Sequence, residues 1–164
     1  MRRSYELVAL AGLIGCSGSD PTPIDPTGVY HVESRMLSAP CGADEPAFVV
    51  EPDMRVTDID NNYVVVWSCT PDGQNCTYRS FEYPIEDGWR GLTAYMSIRE
   101  QPSECYLGYS ELDLYLVDTT LTIETMDYRE TIDVDSPACI YEEALRRGAT
   151  MPCITHERID ATKL

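Results

Sequence analysis

The chain has 164 residues, enough for one domain with a sizeable core, and carries 28 acidic against 12 basic side chains for a net charge of −16. That balance excludes nucleic acid as a partner, because neutralising phosphates requires clustered lysine and arginine, and it sets the chain against direct contact with anionic lipid. The plainest consequence of the charge is solubility.

At the amino terminus Arg2 and Arg3 precede a short apolar stretch, Leu7 to Ile14, and small residues follow, which is the layout of an export signal. The run is about half the roughly 20 residues that a bilayer-crossing helix needs. Its end, Leu13-Ile14-Gly15-Cys16, resembles the lipobox of bacterial lipoproteins. The resemblance implies cleavage before Cys16, a diacylglycerol on the Cys16 thiol, and acylation of the amine that the cut exposes. In that class an aspartate directly after the cysteine retains the protein in the inner membrane. Ser17 stands there, so the resemblance implies the outer membrane, with the periplasmic or surface side left open. An ordinary cleaved signal peptide with an incidental Cys16, or a buried N-terminal helix, are the competing readings. Residues 1–15 are therefore expected to be a signal peptide, and their loss makes the remainder one charge more acidic.

Lipid on Cys16 also resolves the odd cysteine count. It leaves Cys41, Cys69, Cys76, Cys105, Cys139 and Cys153, an even set that predicts three disulfides in an oxidising compartment. Cys69 and Cys76 flank the turn signal Pro71-Asp72-Gly73 and are expected to close one hairpin loop. Cys139 and Cys153 flank a candidate helix and are expected to pair across it, leaving Cys41 with Cys105. No pair has C-x-x-C spacing and only His31 and His156 offer imidazole, so neither zinc nor any cofactor is expected.

Residues 16–27 read as the lipidated cysteine and a proline-rich tether. From Ser17 to Thr27 an extended polyproline-like form reaches roughly 34 Å at about 3.1 Å per residue. Residues 28–164 then read as a single disulfide-braced β domain. Leu112, Leu114 and Leu116 alternate with polar neighbours, as do Leu92, Ala94, Met96 and Ile98, so each set is expected to face a core from an antiparallel sheet. Turn signals at Asp60-Asn61-Asn62, Glu86-Asp87-Gly88 and Asp118-Thr119 separate the runs. About eight strands are predicted, near 28–37, 47–59, 62–69, 76–83, 89–99, 105–117, 120–132 and 151–161. A meander of that number can close into a barrel and remove its exposed edges.

One helix is expected near the C-terminus, with Ser136 as N-cap, Pro137 at its first position and Gly148 at its end. Glu142 and Glu143 stand four residues before Arg146 and Arg147, and Ile140, Ala144, Tyr141 and Leu145 offer a buried stripe. Gly28-Val29-Tyr30 resembles the Gly-x-Trp that opens lipocalins, with tyrosine in place of tryptophan. With the strand count and the late helix, that resemblance implies a lipocalin-like barrel holding a small apolar ligand. A barrel of this size can equally be filled by its own side chains.

Catalytic signatures are missing: there is no G-x-S-x-G elbow, no H-E-x-x-H and no phosphate-binding glycine loop. His31 alternates with Tyr30 and Val32, and His156 stands beside Glu157, so both are expected on the solvated surface. Asp58, Asp60 and Asn62 match the first positions of a calcium loop, but Tyr63 and Cys69 occupy its glycine and glutamate places, so a hairpin turn is the simpler reading. The expectation is thus not an enzyme but an outer-membrane lipoprotein that binds a small apolar ligand, an envelope protein or a glycan. A passive envelope component is the alternative, and a hydrolase using a histidine or paired carboxylates ranks third.

Overall fold

Alternating apolar and polar residues bury one side of each strand, and here they produce long antiparallel strands joined mostly by tight turns. The computed structural model describes residues 24–49, 52–59, 63–70 and 75–164. Its strands are β1 (Gly28–Ser38), β2 (Glu45–Pro46), β3 (Asp53–Ile59), β4 (Tyr63–Cys69), β5 (Cys76–Phe81), β6 (Tyr83–Ile85), β7 (Gly88–Arg99), β8 (Glu104–Val117), β9 (Thr120–Asp133) and β10 (Cys153–Lys163), with helix α1 (Tyr141–Arg147) before the last. They form one sheet in the order β5-β4-β3-β1-β10-β9-β8-β7-β6, with β2 as a short addition to β1. The sheet curls into a nearly closed antiparallel barrel with one short helix near the C-terminus, the predicted class.

Eight of these strands are the predicted ones within a few residues. The main shift is β3, which begins at Asp53 rather than near 47, because the chain before it spends Glu45 and Pro46 on pairing with Met36 and Leu37 of β1. Two hairpins turn as expected: Ile85 pairs with Gly88 and Val117 with Thr120, leaving Glu86-Asp87 and Asp118-Thr119 as two-residue loops with Asp87 and Asp118 at positive φ. Asp60 to Asn62 lie outside the described residues. At the seam β5 swings over β7. A Cβ on Gly91 would drive into the carbonyl oxygen of Ser80, so only glycine lets the two backbones approach this closely.

The barrel interior is packed with Tyr30, Met54, Val56, Val64, Val66, Phe81, Trp89, Leu114, Leu121 and Ile123, all buried. Ile24 to Thr27, read from sequence as the end of a tether, seal one end of it: the Tyr30 hydroxyl donates to the Pro26 carbonyl at 2.7 Å and the Trp89 indole donates to the Ile24 carbonyl at 3.1 Å. Pro26 is fully buried there.

A second core lies on the opposite face of β8. Leu112 and Leu114 point into the barrel with Leu116, whereas Cys105, Leu107 and Tyr109 point outward, beneath α1 and Met151. The helix therefore buttresses the outer face of β7 and β8. It is shorter than expected: Ser136 and Pro137 sit in a preceding turn, closed by the Cys139 amide donating to the Ser136 carbonyl, and Ile140 takes the N-cap position in an extended conformation. The predicted stripe is also corrected. Only Ala144 is buried, packed on Cys105, Leu107 and Tyr109, while Tyr141 and Leu145 are exposed, as is Ile140, which stands outside the helix as its extended N-cap and so off the helical stripe. Glu143 pairs with both Arg146 and Arg147, and Arg147 reaches on to Glu130 of β9 at 2.6 Å, so the helix is clamped to the sheet by charge.

Candidate functional site

Cys16 lies outside the described residues. The other six cysteines pair as Cys41–Cys153, Cys69–Cys76 and Cys105–Cys139. The hairpin bridge is as expected. The other two are corrected, and strand register gives the reason: Ser38 lies opposite His156, so Cys41, three residues after the first, comes level with Cys153, three residues before the second. Cys105 meanwhile sits on the outer face of β8, where the turn leading into α1 delivers Cys139.

His31 is exposed, as expected, with Nδ1 2.9 Å from Asp53. His156 is not on the open surface. It is partly buried, with Nδ1 2.9 Å from Asp44 and Nε2 buried without a partner among the described residues. Hydrogen bonds to His156 and then to Ser38 hold the Asp44 carboxyl below its ordinary value. Serine, histidine and aspartate thus meet, but the imidazole nitrogen that would take a proton from a nucleophile faces neither Ser38 nor solvent. The cluster fastens the loop after β1 onto β10, beside the Cys41–Cys153 bridge.

Inside the barrel mouth the register brings together three charges that the sequence does not associate. β1 carries a bulge between Val32 and Ser34, which reverses its alternation so that Arg35 lies opposite Ile159 and points inward. Arg35 Nε and Arg79 Nη2 each donate to one oxygen of Glu157 at 2.6 Å, and Glu157 is only 8% exposed. These side chains line an interior void of about 80 Å³, with Ser68, Thr77 and Ile159. Ligand chambers run from about 300 Å³ upward, so packing leaves little of one here.

A larger concavity lies outside the barrel. Four strands contribute one row across its outer face: Val29 of β1 pairs with Arg55 of β3, Arg55 with Trp67 of β4, and Trp67 with Tyr78 of β5. Residues directly opposite on neighbouring strands share a face, so this row forms a continuous wall. Trp67 is 37% and Tyr78 67% exposed, with ring centroids 5.4 Å apart and planes tilted by 43°. The Trp67 indole donates to Thr57 Oγ1 at 3.3 Å, which holds the ring in place. Asp53, Thr57 and Cys69 complete a groove of about 440 Å³ with Val29, Arg55 and Trp67. Arg55 makes no ion pair among the described residues, although acidic side chains outnumber basic ones by more than two to one. Sequence reading missed this site because its residues come from four strands, and only their pairing register aligns them.

Among the described residues no group of three or more histidine, cysteine, aspartate or glutamate side chains could hold a metal ion, and no helix is long and apolar enough to cross a membrane. No family model, no curated protein and no solved structure matches the chain.

Proposed function

We propose that this protein is a lipid-anchored binding module of the bacterial outer membrane whose ligand lies in the outer groove and not in the lumen. The observation that carries the reading is the row Val29-Arg55-Trp67-Tyr78. Exposed aromatic faces offer apolar area to the C–H faces of a sugar ring, and a free guanidinium forks onto a carboxylate. The groove's volume lies within the range of small-ligand sites. Its chemistry therefore suits an acidic envelope glycan, such as a uronic-acid oligosaccharide, better than a fatty ligand. The anchor rests on the lipobox at Cys16 and on the even cysteine set that remains without it.

Trp67 and Trp89 are the two tryptophans, and Trp89 is buried out of a ligand's reach, so a ligand-induced change in indole emission reports on Trp67 in the groove. Titration with oligouronates should shift and quench that emission, neutral oligosaccharides of the same length should bind more weakly, and by calorimetry Trp67→Ala and Arg55→Met should each weaken binding. Emission unmoved by every oligouronate, or binding indifferent to both substitutions, overturns the glycan reading and favours the passive envelope component, which the filled lumen also suits. Palmitate labelling of wild type but not of Cys16→Ser tests the anchor separately.

A further inference from the structure

In a barrel every strand has two hydrogen-bonding neighbours, but β7 leaves the seam half-way along. β6 covers its outer edge only from Gly88 to Arg90, and the Glu82 amide donates to the Arg90 carbonyl at 2.8 Å. From Leu92 to Arg99 the strand pairs with β8 alone among the described residues. Its apolar residues were expected over a core. Instead Leu92 is 36%, Met96 37% and Ile98 56% exposed, and only Ala94 packs, against the second core. Free edges in soluble proteins normally carry charge, proline or a bulge that blocks further pairing. The segment Leu92-Thr93-Ala94-Tyr95-Met96-Ser97-Ile98 has none of these, in a chain that is 24% charged.

We infer that this edge is an interaction surface for a second copy of the same chain, through antiparallel β7–β7 pairing about a two-fold axis at Tyr95. The segment is self-complementary in that register. On the outer face Leu92 meets Ile98 of the other copy and Ala94 meets Met96. On the inner face Thr93 meets Ser97, and the Tyr95 residues face each other across the axis. A two-fold axis normal to the sheet keeps each face on its own side, so no apolar residue is set against a polar one. Charge does not oppose this: no ionised group lies within the paired segment Leu92 to Ile98. Exposed Tyr141 and Leu145 of α1 extend the apolar surface on the same outer side of the sheet. An unrelated extended peptide could satisfy the backbone, but nothing would make its side chains match this alternation in both directions.

The test is cysteine cross-linking of the full chain in the cell envelope, read on non-reducing gels. Tyr95→Cys should give a reducible band at twice the chain's mass. Thr93→Cys alone should give at least about tenfold less, because the two Thr93 positions stand four residues out of register, about 13 Å apart, beyond disulfide reach. Thr93→Cys expressed together with Ser97→Cys should restore the band and leaves Tyr95 intact should its replacement disturb the strand. Met96→Lys should abolish the cross-link in either background. Equal cross-linking at every position, a band unaffected by Met96→Lys, or cysteine adducts to a different protein would each overturn the inference. The absence of any band with the three native disulfides intact would do the same.

Discussion

The Arg35–Glu157–Arg79 triad makes a sharp prediction because its charges are unequal in number. Glu157→Gln keeps the volume and removes the one carboxylate between two guanidiniums. With charge centres about 4 Å apart and an effective dielectric near 20, each arginine–carboxylate contact is worth roughly 4 kcal/mol, and the two arginines repel each other by roughly 2 kcal/mol across about 8 Å. Losing both attractions while keeping the repulsion, and recovering several kcal/mol of carboxylate desolvation, leaves a destabilisation of about 3 kcal/mol, at the low end for breaking a buried pair. Arg79→Met removes one attraction and the repulsion together, leaves a neutral Arg35–Glu157 pair, and should cost about 1 kcal/mol or less. In thermal unfolding that difference corresponds to a drop of about 6–12 °C for Glu157→Gln against about 2–4 °C for Arg79→Met. Both variants should retain the far-ultraviolet signature of the sheet. An Arg79→Met variant as unstable as Glu157→Gln would refute the reasoning, since the carboxylate would then not be the group that holds the triad together.

Gly91→Ala should open the seam between β5 and β7, because the added methyl meets backbone at Ser80 and not a movable side chain. We expect a loss of about 2–3 kcal/mol by urea unfolding, and a neutral substitution would show that β5 does not lie where described. The disulfides should rank by the chain they close, with sequence separations of 112 for Cys41–Cys153, 34 for Cys105–Cys139 and 7 for Cys69–Cys76. Paired Cys→Ala variants should lose about 5, 4 and 2 kcal/mol respectively on the loop-entropy estimate, and an inverted order in denaturant midpoints would mean that native-state contacts outweigh chain entropy. Arg146 and then Arg147 hydrogen-bond Glu143 and depress its carboxyl from the ordinary 4.5 to about 2. A depressed folded-state value contributes stability above the unfolded value that disappears as pH falls through the folded one. The urea midpoint of the wild type should therefore exceed that of Glu143→Gln at neutral pH, and the gap should close as pH falls from about 4.5 to about 2. A gap that persists in acid would assign the effect to packing of α1 and not to its charges.

The repeating parts of the fold were legible in sequence. Leu112, Leu114 and Leu116 do line the barrel, and Asp118-Thr119 does turn the chain between two long strands. The helix was found but its start was misplaced, since Ser136 and Pro137 carry the same local signal whether they open a helix or a turn before one. Leu92, Met96 and Ile98 show the opposite failure: their alternation is that of a core strand, yet the sheet that would cover them ends at β6. Arg35 was unreadable as an interior residue because the bulge after Val32 has no signature in the neighbouring sequence.

By itself, then, the sequence determined eight of the ten strands, two of the turns between them, the presence of a late helix and the even set of six cysteines. These follow from periodicity and turn chemistry, which act over a few neighbouring residues. Only the tertiary structure decided which cysteines meet, that Glu157 binds two arginines, and, among the described residues, that Arg55 stands beside Trp67 without an ion pair and that half of β7 pairs on one side only. Each depends on the register between strands distant in the chain, where a single inserted residue exchanges one face for the other.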